Sequence, residues 1–436
     1  MDSGVTRLLT HLVAYIETER IVNDIDHRVL GNKLDLFHQQ EEGPGMVFWH
    51  PRGWELYRVL EDFVRQRMRR AGFREIRTPQ LLVRSLWERS GHWEKFGEQM
   101  YSLPERHAAH EPDAGPDDGA DSRALCLKPM SCPCHAQVFN QRVRSYRELP
   151  VRYSEFGACH RDEPSGSLEG LKRTRAFVQD DAHVFCMEAQ IGQEVGRFCD
   201  LLRGVYADLG FPAFSVALAT RPALRAGDDV IWDRAEAALA NAARAAGLEF
   251  EVLEGEGAFY GPKLEFHLLD SRARSWQCGT IQLDFVLPER LDAHYVNERN
   301  ERERPVMIHH AVLGSMERFI AILLEHHEGW LPLWLAPDQV MVGSINDASA
   351  GYAQAVVQAL EDAGIRCVLD DRPERLEKKI VDAREKQVPL FVAVGPRDER
   401  DRTISIRARD GQQAVLPLAD GVERLRVEGR GPVAMR

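Results

Sequence analysis

From Gln339 to Arg407, short apolar runs alternate with helix-period stretches, and no feature of the chain restricts its folding more. Gln339–Ile345 is apolar and strand-like. Ala350–Ala363 has a helical pattern that stops at Gly364, and Ile365–Leu369 is a second strand. Residues 374–387 are helical and highly charged, and Leu390–Val394 and Thr403–Arg407 add further strands. This β-α-β-α-β order implies a small three-layer α/β domain with a largely parallel sheet. Its start near Trp334–Pro337 sets an expected domain over residues 334–436. There is no internal repeat.

The other residues need a core of their own, because 436 residues are too many for one ordinary core. Between Trp54 and Ala71 the apolar residues Leu56, Leu60, Phe63 and Met68 recur at helical spacing. Arg65, Arg67, Arg69 and Arg70 lie toward the end, where they complement the helix dipole. Gly72 suits the cap, and Phe73–Pro79 reads as extended. Farther on, strand-like runs at Val151–Phe156, Phe177–Phe185 and Ile281–Val286 alternate with polar turns. That order suggests an α+β domain on an antiparallel sheet, expected over residues 27–333. Residues 1–26 read as a helical leader. Residues 103–124, rich in Pro, Gly, Ala and acid, read as a flexible insertion.

Composition narrows the function classes. Hydrophobic residues at 44% and charged residues at 28% suit a soluble globular protein. No apolar run approaches the ~20 residues of a membrane span. The first residues lack the pattern of a signal peptide, so the expected location is cytoplasmic. Eight scattered cysteines in so long a chain point to free thiols or metal ligands, not a disulfide framework. The net charge of −12 argues mildly against nucleic acid, but a local basic face can still bind phosphates.

Three stretches carry chemistry. In Ser154–Cys186, Arg161 and Arg173 flank a turn-rich loop with Pro164, Gly166 and Gly170. Guanidinium groups bind phosphate oxygens through bidentate bonds, so such a loop suits a triphosphate. A surface hairpin with solvated arginines fits the same composition. In Pro305–Leu324, a small pair, Gly314–Ser315, interrupts an apolar run ahead of Glu317 and Arg318. It allows a ligand close to the backbone, or merely joins a buried strand to a helix. In Leu127–Phe139, Cys132, Cys134 and His135 offer metal-ligating atoms, although Cys-x-Cys-His is not one of the usual zinc spacings.

The same stretches carry a resemblance. HRDEPSG with KRTR resembles motif 2 of class II aminoacyl-tRNA synthetases, GSMERF resembles their motif 3, and AGFREIRTP resembles motif 1. DHRVLGNKLDLFHQQEEGPGMVFWH, LKPMSCPCH, FVQDDAHVFC, AFYGPKLEF and MIHHAVLGSMERF are similar to the threonyl enzymes in particular. The likeness runs from about Asp26 to Arg409, and several ordered motifs together are far more specific than one. It implies an α+β class II synthetase catalytic domain on an antiparallel sheet, followed by a C-terminal α/β anticodon-binding-like domain.

What the resemblance implies can be written residue by residue. Cys132, His183 and His309 would hold Zn2+ with an open position for the amino and hydroxyl groups of L-threonine. Asp181 would bind the substrate hydroxyl, with Gln179, Tyr260, Thr280, Gln282 and Ser315 lining the pocket. For ATP, Arg161 would meet the α-phosphate and Glu163 the adenine amino group. Phe177 and Arg318 would stack on the two adenine faces, Arg173 would reach the γ-phosphate, and Gln277 would serve the ribose or a phosphate. Mg2+ would accompany the nucleotide, and Gln282 would lie near the attacking hydroxyl of tRNA(Thr). Arg161, Arg318 and Gln282 form the expected catalytic set. Arg407 matches an arginine associated with anticodon contact. Pro79 matches a proline at the dimer interface, so a homodimer with no membrane association is expected.

Departures accompany the likeness. The chain starts just before the catalytic core, so the expected form lacks the N-terminal domains that remove mischarged serine. Cys134 stands where Gly is usual and His310 where Arg is usual. Arg372-Pro373-Glu374-Arg375-Leu376-Glu377 replaces R-N-E-K-I-G, which loses an amide and adds a negative charge. Three functions stay open: a threonine–tRNA ligase, an adenylating paralogue that passes threonine to a carrier protein or small-molecule acceptor, and a catalytically silent paralogue.

Overall fold

The computed structural model describes residues 24–103 and 124–432. The expected leader over 1–26 and the expected insertion over 103–124 lie, except at their ends, outside the described residues. The chain packs as two compact units. Of the described residues, those within Gln39–Val47 and Val64–Ile322 form one, and those within 24–38, Phe48–Phe63 and 323–432 form the other. Among the described residues, no helix is long and apolar enough to cross a membrane.

The larger unit is built on an eight-stranded sheet. Its strands in chain order are β1 (Arg74–Glu75), β2 (Val151–His160), β3 (Ala176–Cys186), β4 (Ser215–Ala219), β5 (Glu251–Leu253), β6 (Lys263–Leu269), β7 (Ser275–Asp284) and β8 (Val306–Ser315). They lie side by side as β5-β4-β6-β7-β8-β3-β2-β1. Only the edge pairs, β4 with β5 and β1 with β2, are parallel. The sheet is therefore antiparallel across its centre, as the alternation of strand-like runs with turns suggested. β2 and β3 run past the expected ends and pair in unbroken register from Val151–Phe185 to His160–Ala176.

Side chains alternate across a strand, so the sheet has two distinct faces. Helices Ile191–Asp208 and Asp229–Ala245 pack together on one of them. There Phe198 meets Phe266 and His310 at centroid distances of 5.7 and 4.8 Å. The Tyr206 hydroxyl donates to the carbonyl of Val312 and accepts from the N–H of Gly279.

β8 is irregular where it matters. Its pairing with β3 shifts between Ala311 and Ser315. The freed N–H groups of Val312, Leu313 and Gly314 all donate to the buried Asp180 carboxylate, at 2.8, 2.9 and 2.9 Å. One carboxylate thus satisfies the backbone groups that the bulge removes from the ladder. Gly314 has φ +82, and a Cβ there would lie 2.7 Å from the carbonyl oxygen of Cys278. Helix Met316–His326 begins directly after the bulge.

The smaller unit contains a five-stranded sheet of β9 (Val340–Ser344), β10 (Cys367–Asp370), β11 (Leu390–Val394), β12 (Thr403–Ala408) and β13 (Gln413–Pro417). Their order is β10-β9-β11-β12-β13. The first three strands are parallel, but β12 and β13 are antiparallel additions. The expectation of a largely parallel sheet is corrected to a mixed one. The link between β12 and β13 is a short turn at Gly411, φ +88, and a turn that short cannot make a parallel crossover. Tyr352, Ala353, Val356 and Leu360 of helix Ala350–Asp362 share one core with Leu425 of helix Leu418–Glu428. Ala383 of helix Leu376–Glu385 packs in a separate cluster with Met341 and Phe391. The three-layer arrangement follows. Within this unit the buried His27 ring Nδ1 lies 2.7 Å from a Glu325 carboxylate oxygen, which ties residues near 27 to the end of helix Met316–His326.

Candidate active site

A cleft of about 370 Å3 opens on the sheet face away from these paired helices. Strand periodicity fills it. Phe177, Gln179, Asp181 and His183 alternate along β3 and point one way. His309 of β8 is registered against His183 of β3 and Gln282 of β7, and Ser315 against Gln179. Arg161, Glu163 and Arg173 enter from the loop between β2 and β3. Tyr260 precedes β6, Cys132 begins helix Cys132–Phe139, and Arg318 lies in the first turn after the bulge. All the candidate zinc, threonine and nucleotide residues therefore line one cleft.

At one end, ligand atoms of Cys132, His183 and His309 lie within 4.8 Å of one another, all buried. Hydrogen bonds around them fix the ring tautomers. His135 places Nε2 3.2 Å from Glu155 and Nδ1 2.9 Å from Nδ1 of His183. His309 places Nε2 2.9 Å from Asp284 Oδ2. If each carboxylate accepts a proton from its imidazole, His183 Nε2 and His309 Nδ1 both keep lone pairs, and these two atoms face each other at 3.0 Å. Two facing lone pairs repel unless a cation lies between them. A buried thiol beside them supplies a third donor, so the set fits a Cys/His/His zinc site. Burial lowers the pKa of His183 well below the usual imidazole value, which keeps it neutral, and pushes the Cys132 thiol well up. Metal binding at Cys132 therefore has to displace a proton.

The Glu155 carboxylate anchors this arrangement. Burial raises its pKa, but bonds from His135, Thr78 and Lys128 outweigh burial and hold it near 2. Around the floor, the Tyr260 hydroxyl donates to Gln282 Oε1 at 2.7 Å, and its ring stacks on His309 at 4.8 Å. Burial raises Tyr260 well above the usual phenol value, so the hydroxyl stays a donor. Asp181 is buried and accepts from the Ser131 N–H at 3.3 Å.

The other end is cationic. Arg161 donates through Nε to the Pro129 carbonyl and lies 5.2 Å from the Phe177 ring. Arg318 donates to the carbonyls of Lys172 and Gln277, both at 2.9 Å. The Ser315 hydroxyl accepts from the Arg318 N–H at 3.1 Å, and Gln277 donates to the Thr280 hydroxyl at 2.7 Å. Arg173 is exposed at the rim. An apolar ring beside several guanidinium groups suits a flat base joined to phosphates.

Comparison with known proteins bears on this geometry. Residues 117–327 match the model of the tRNA synthetase class II core domain (G, H, P, S and T), and residues 339–428 match an anticodon binding domain. A crystal structure of the RNA binding domain of threonyl-tRNA synthetase from Cryptosporidium parvum Iowa II superposes with a TM-score of 0.88 at 38% identity. That match covers 94% of this chain and 100% of the other. The chain belongs to the threonyl-tRNA synthetase family. It is 52% identical over 426 residues to a threonine–tRNA ligase of Caulobacter sp. (strain K31), covering 98% of this chain and 62% of that protein. It is 52% identical over 413 residues to one of Ralstonia nicotianae, covering 94% and 63%. The chain thus spans about three fifths of the length of these curated relatives.

The structure also sorts the Cys-x-Cys-His reading of this family member. Cys132 faces the two histidines, whereas Cys134 packs with Trp87, Met100 and Cys126, and His135 supports His183 from behind. Residues two apart on a helix face different sides, so Cys134 turns away from Cys132, whereas His135, three residues on, shares that side and stands behind His183. The His310 ring is buried against Phe73 and Phe198. Neither departure adds an atom to the candidate metal set. Sequence reasoning missed Asp284 and Glu155, and also His92, whose Nε2 lies 3.2 Å from the Cys132 sulfur; it offered His135 as a ligand and not as the support of His183. Asp284 sits two residues after Gln282 on one strand, and that spacing was the available signal. Arg407 lies in β12, opposite Phe391 and Gln413, in the smaller unit.

Proposed function

We propose that the chain is an aminoacyl-tRNA ligase that activates L-threonine with ATP and transfers it to tRNA(Thr). The observation that carries this reading is His183 Nε2 and His309 Nδ1 facing each other at 3.0 Å beside Cys132, set in one cleft with Arg161, Phe177 and Arg318. Zn2+ held by Cys132, His183 and His309 would offer an open coordination position to the amino and hydroxyl groups of threonine. Valine has no hydroxyl, and a site built to bind that oxygen rejects it strongly. Asp181 accepts from the substrate hydroxyl, and Gln179, Tyr260, Thr280, Gln282 and Ser315 shape the pocket.

In the first step the threonine carboxylate attacks the α-phosphorus in line, and pyrophosphate leaves. Arg161 offsets the charge that develops, with Mg2+ as the companion of ATP, so catalysis is positioning and electrostatics. Glu163 accepts from the adenine amino group, Phe177 and Arg318 stack on its faces, Arg173 reaches the γ-phosphate, and Gln277 serves the ribose or a phosphate. In the second step a hydroxyl of the terminal adenosine of tRNA attacks the acyl carbon near Gln282, and AMP leaves.

On this reading residues 27–333 perform catalysis and residues 334–436 bind the anticodon arm through a surface that includes Arg407. The work is cytoplasmic. A homodimer is supported by Pro79 and the edge strand β1, both exposed. A second reading, transfer of threonine to a carrier, draws on the smaller unit. There Arg372 is held by Asp370 and Asp382 at 2.6 and 2.7 Å, and Glu377 follows five residues later.

The test is amino-acid-dependent ATP–pyrophosphate exchange, followed by charging of tRNA(Thr). Threonine should drive exchange and valine should not, and Cys132→Ala should lose zinc and exchange together. Absence of threonine-dependent exchange in the zinc-loaded protein would refute the reading. Exchange without transfer to tRNA would favour the carrier.

A further inference from the structure

One carboxylate outside the cleft governs how a cleft arginine is aimed. Asp270 lies in the turn between β6 and β7, and its side chain is fully buried. Its Oδ1 accepts the N–H groups of Arg272 and Arg274, both at 2.9 Å. Its Oδ2 accepts from Arg274 Nε at 2.8 Å, Trp276 Nε1 at 2.9 Å and Lys172 Nζ at 2.8 Å. Lys172 comes from a different segment, the loop between β2 and β3, and is itself buried.

The two residues that Asp270 ties together lead directly to Arg318. The Lys172 carbonyl accepts from Arg318 Nε, and the carbonyl of Gln277, next in sequence to Trp276, accepts from Arg318 Nη1. The Trp276 ring lies 5.5 Å from the same guanidinium. A guanidinium is planar, so two carbonyls at fixed points set its plane. Those points sit on separate segments, and the Asp270 carboxylate is a buried group that bonds to both. We infer that Asp270 is a positioning residue for the nucleotide, acting through Lys172 and Trp276 on the plane of Arg318. This inference rests on the proposed reading of Arg318 as an adenine-stacking residue.

The experiment is a double-mutant cycle on the full, zinc-loaded chain. Asp270→Asn and Arg318→Lys are made singly and together. Two readouts are taken: the ATP and threonine dependence of pyrophosphate exchange, and binding of a non-hydrolysable ATP analogue by calorimetry. Asp270→Asn should raise KM for ATP and weaken the analogue by about tenfold or more, the scale on which small misplacement acts. KM for threonine and zinc content should not change. In the Arg318→Lys background the same change should add less than about twofold, because both act through one group. Equal losses in both backgrounds, or a parallel rise in KM for threonine, would overturn the inference. If Asp270→Asn does not fold, Trp276→Phe removes one of the bonds, keeps the ring and must show a smaller effect confined to ATP; an unchanged KM for ATP in it overturns the inference. Should the wild type show no threonine-dependent exchange, the functional reading fails, while analogue binding still tests Asp270.

Discussion

Asp284 accepts from Nε2 of His309 at 2.9 Å through one carboxylate oxygen, and through the other it accepts the N–H groups of Val286 and Leu287. The backbone therefore holds the carboxylate, and the carboxylate holds the ring. Such outer partners set the basicity and direction of a metal-binding imidazole. Asp284→Ala should weaken zinc binding by about 10–100-fold, read by competition with a chromophoric chelator. Unchanged affinity would remove His309 from the metal site.

Arg161 and Arg318 stand at the cationic end with their guanidinium groups fixed by backbone carbonyls. Preorganised charge of this kind needs no rearrangement during the reaction. Replacing either by Ala should cut threonine-dependent pyrophosphate exchange by on the order of 10²-fold or more, with zinc content unchanged. Near-normal exchange in both variants would sink the assignment of the nucleotide end.

Gly314 is the one residue of the β8 bulge with a left-handed backbone, and a Cβ there meets Cys278. Gly314→Ala should lower stability by about 1–3 kcal/mol from backbone strain alone. It should also reduce exchange, because the bulge sets the start of the Arg318 helix. Denaturant unfolding and exchange, measured side by side, check this; wild-type values for both would show that the bulge tolerates a side chain.

Glu317 offers a test by pH. Its carboxyl is buried, and burial pushes its pKa up from 4.5 to about 8, against the pull of the Val178 N–H. Between those values the folded chain keeps a proton that the unfolded chain has released. The contribution of Glu317 to stability is full below the unfolded pKa and is lost as pH rises to about 8. Glu317→Gln has no such proton, so its stability relative to wild type should rise between pH 5 and 8 and then level off. A difference that does not vary with pH would contradict the buried neutral carboxyl.

Serine sets the limit of discrimination by the pocket. It keeps the amino and hydroxyl groups of threonine and lacks one methyl, which is worth about 1–3 kcal/mol, or 10–200-fold. Steady-state exchange should favour threonine over serine within that range. A ratio far above it would mean that the pocket walls contribute more than the missing methyl accounts for.

Much of the fold was legible because strands and helices declare their period. Leu390–Val394 was located to the residue, and Val306–Ser315 followed by Met316–His326 matches the break read at Gly314–Ser315. The order of strands was not legible, since period says nothing about partners; β12 joined the parallel strands in the opposite sense, and β13 paired antiparallel to β12. The inner residues of the site came from motifs. The residues behind them did not, because Glu155 and Asp270 act through pairings across 77 and 98 positions. Such pairings leave no local pattern.

β3 also works as a ruler. Phe177, Gln179, Asp181 and His183 are two residues apart, so each lies roughly 7 Å from the next and the first is about 20 Å from the last. On the proposed reading, distance along that strand is distance along the reactants, from the flat base at one end to the amino-acid side chain at the other. The alphabet of the cleft can therefore be edited locally. On that reading a change at 181 or 183 would alter which amino acid is chosen and leave the nucleotide end as it was, which lets one scaffold be respecified without being rebuilt.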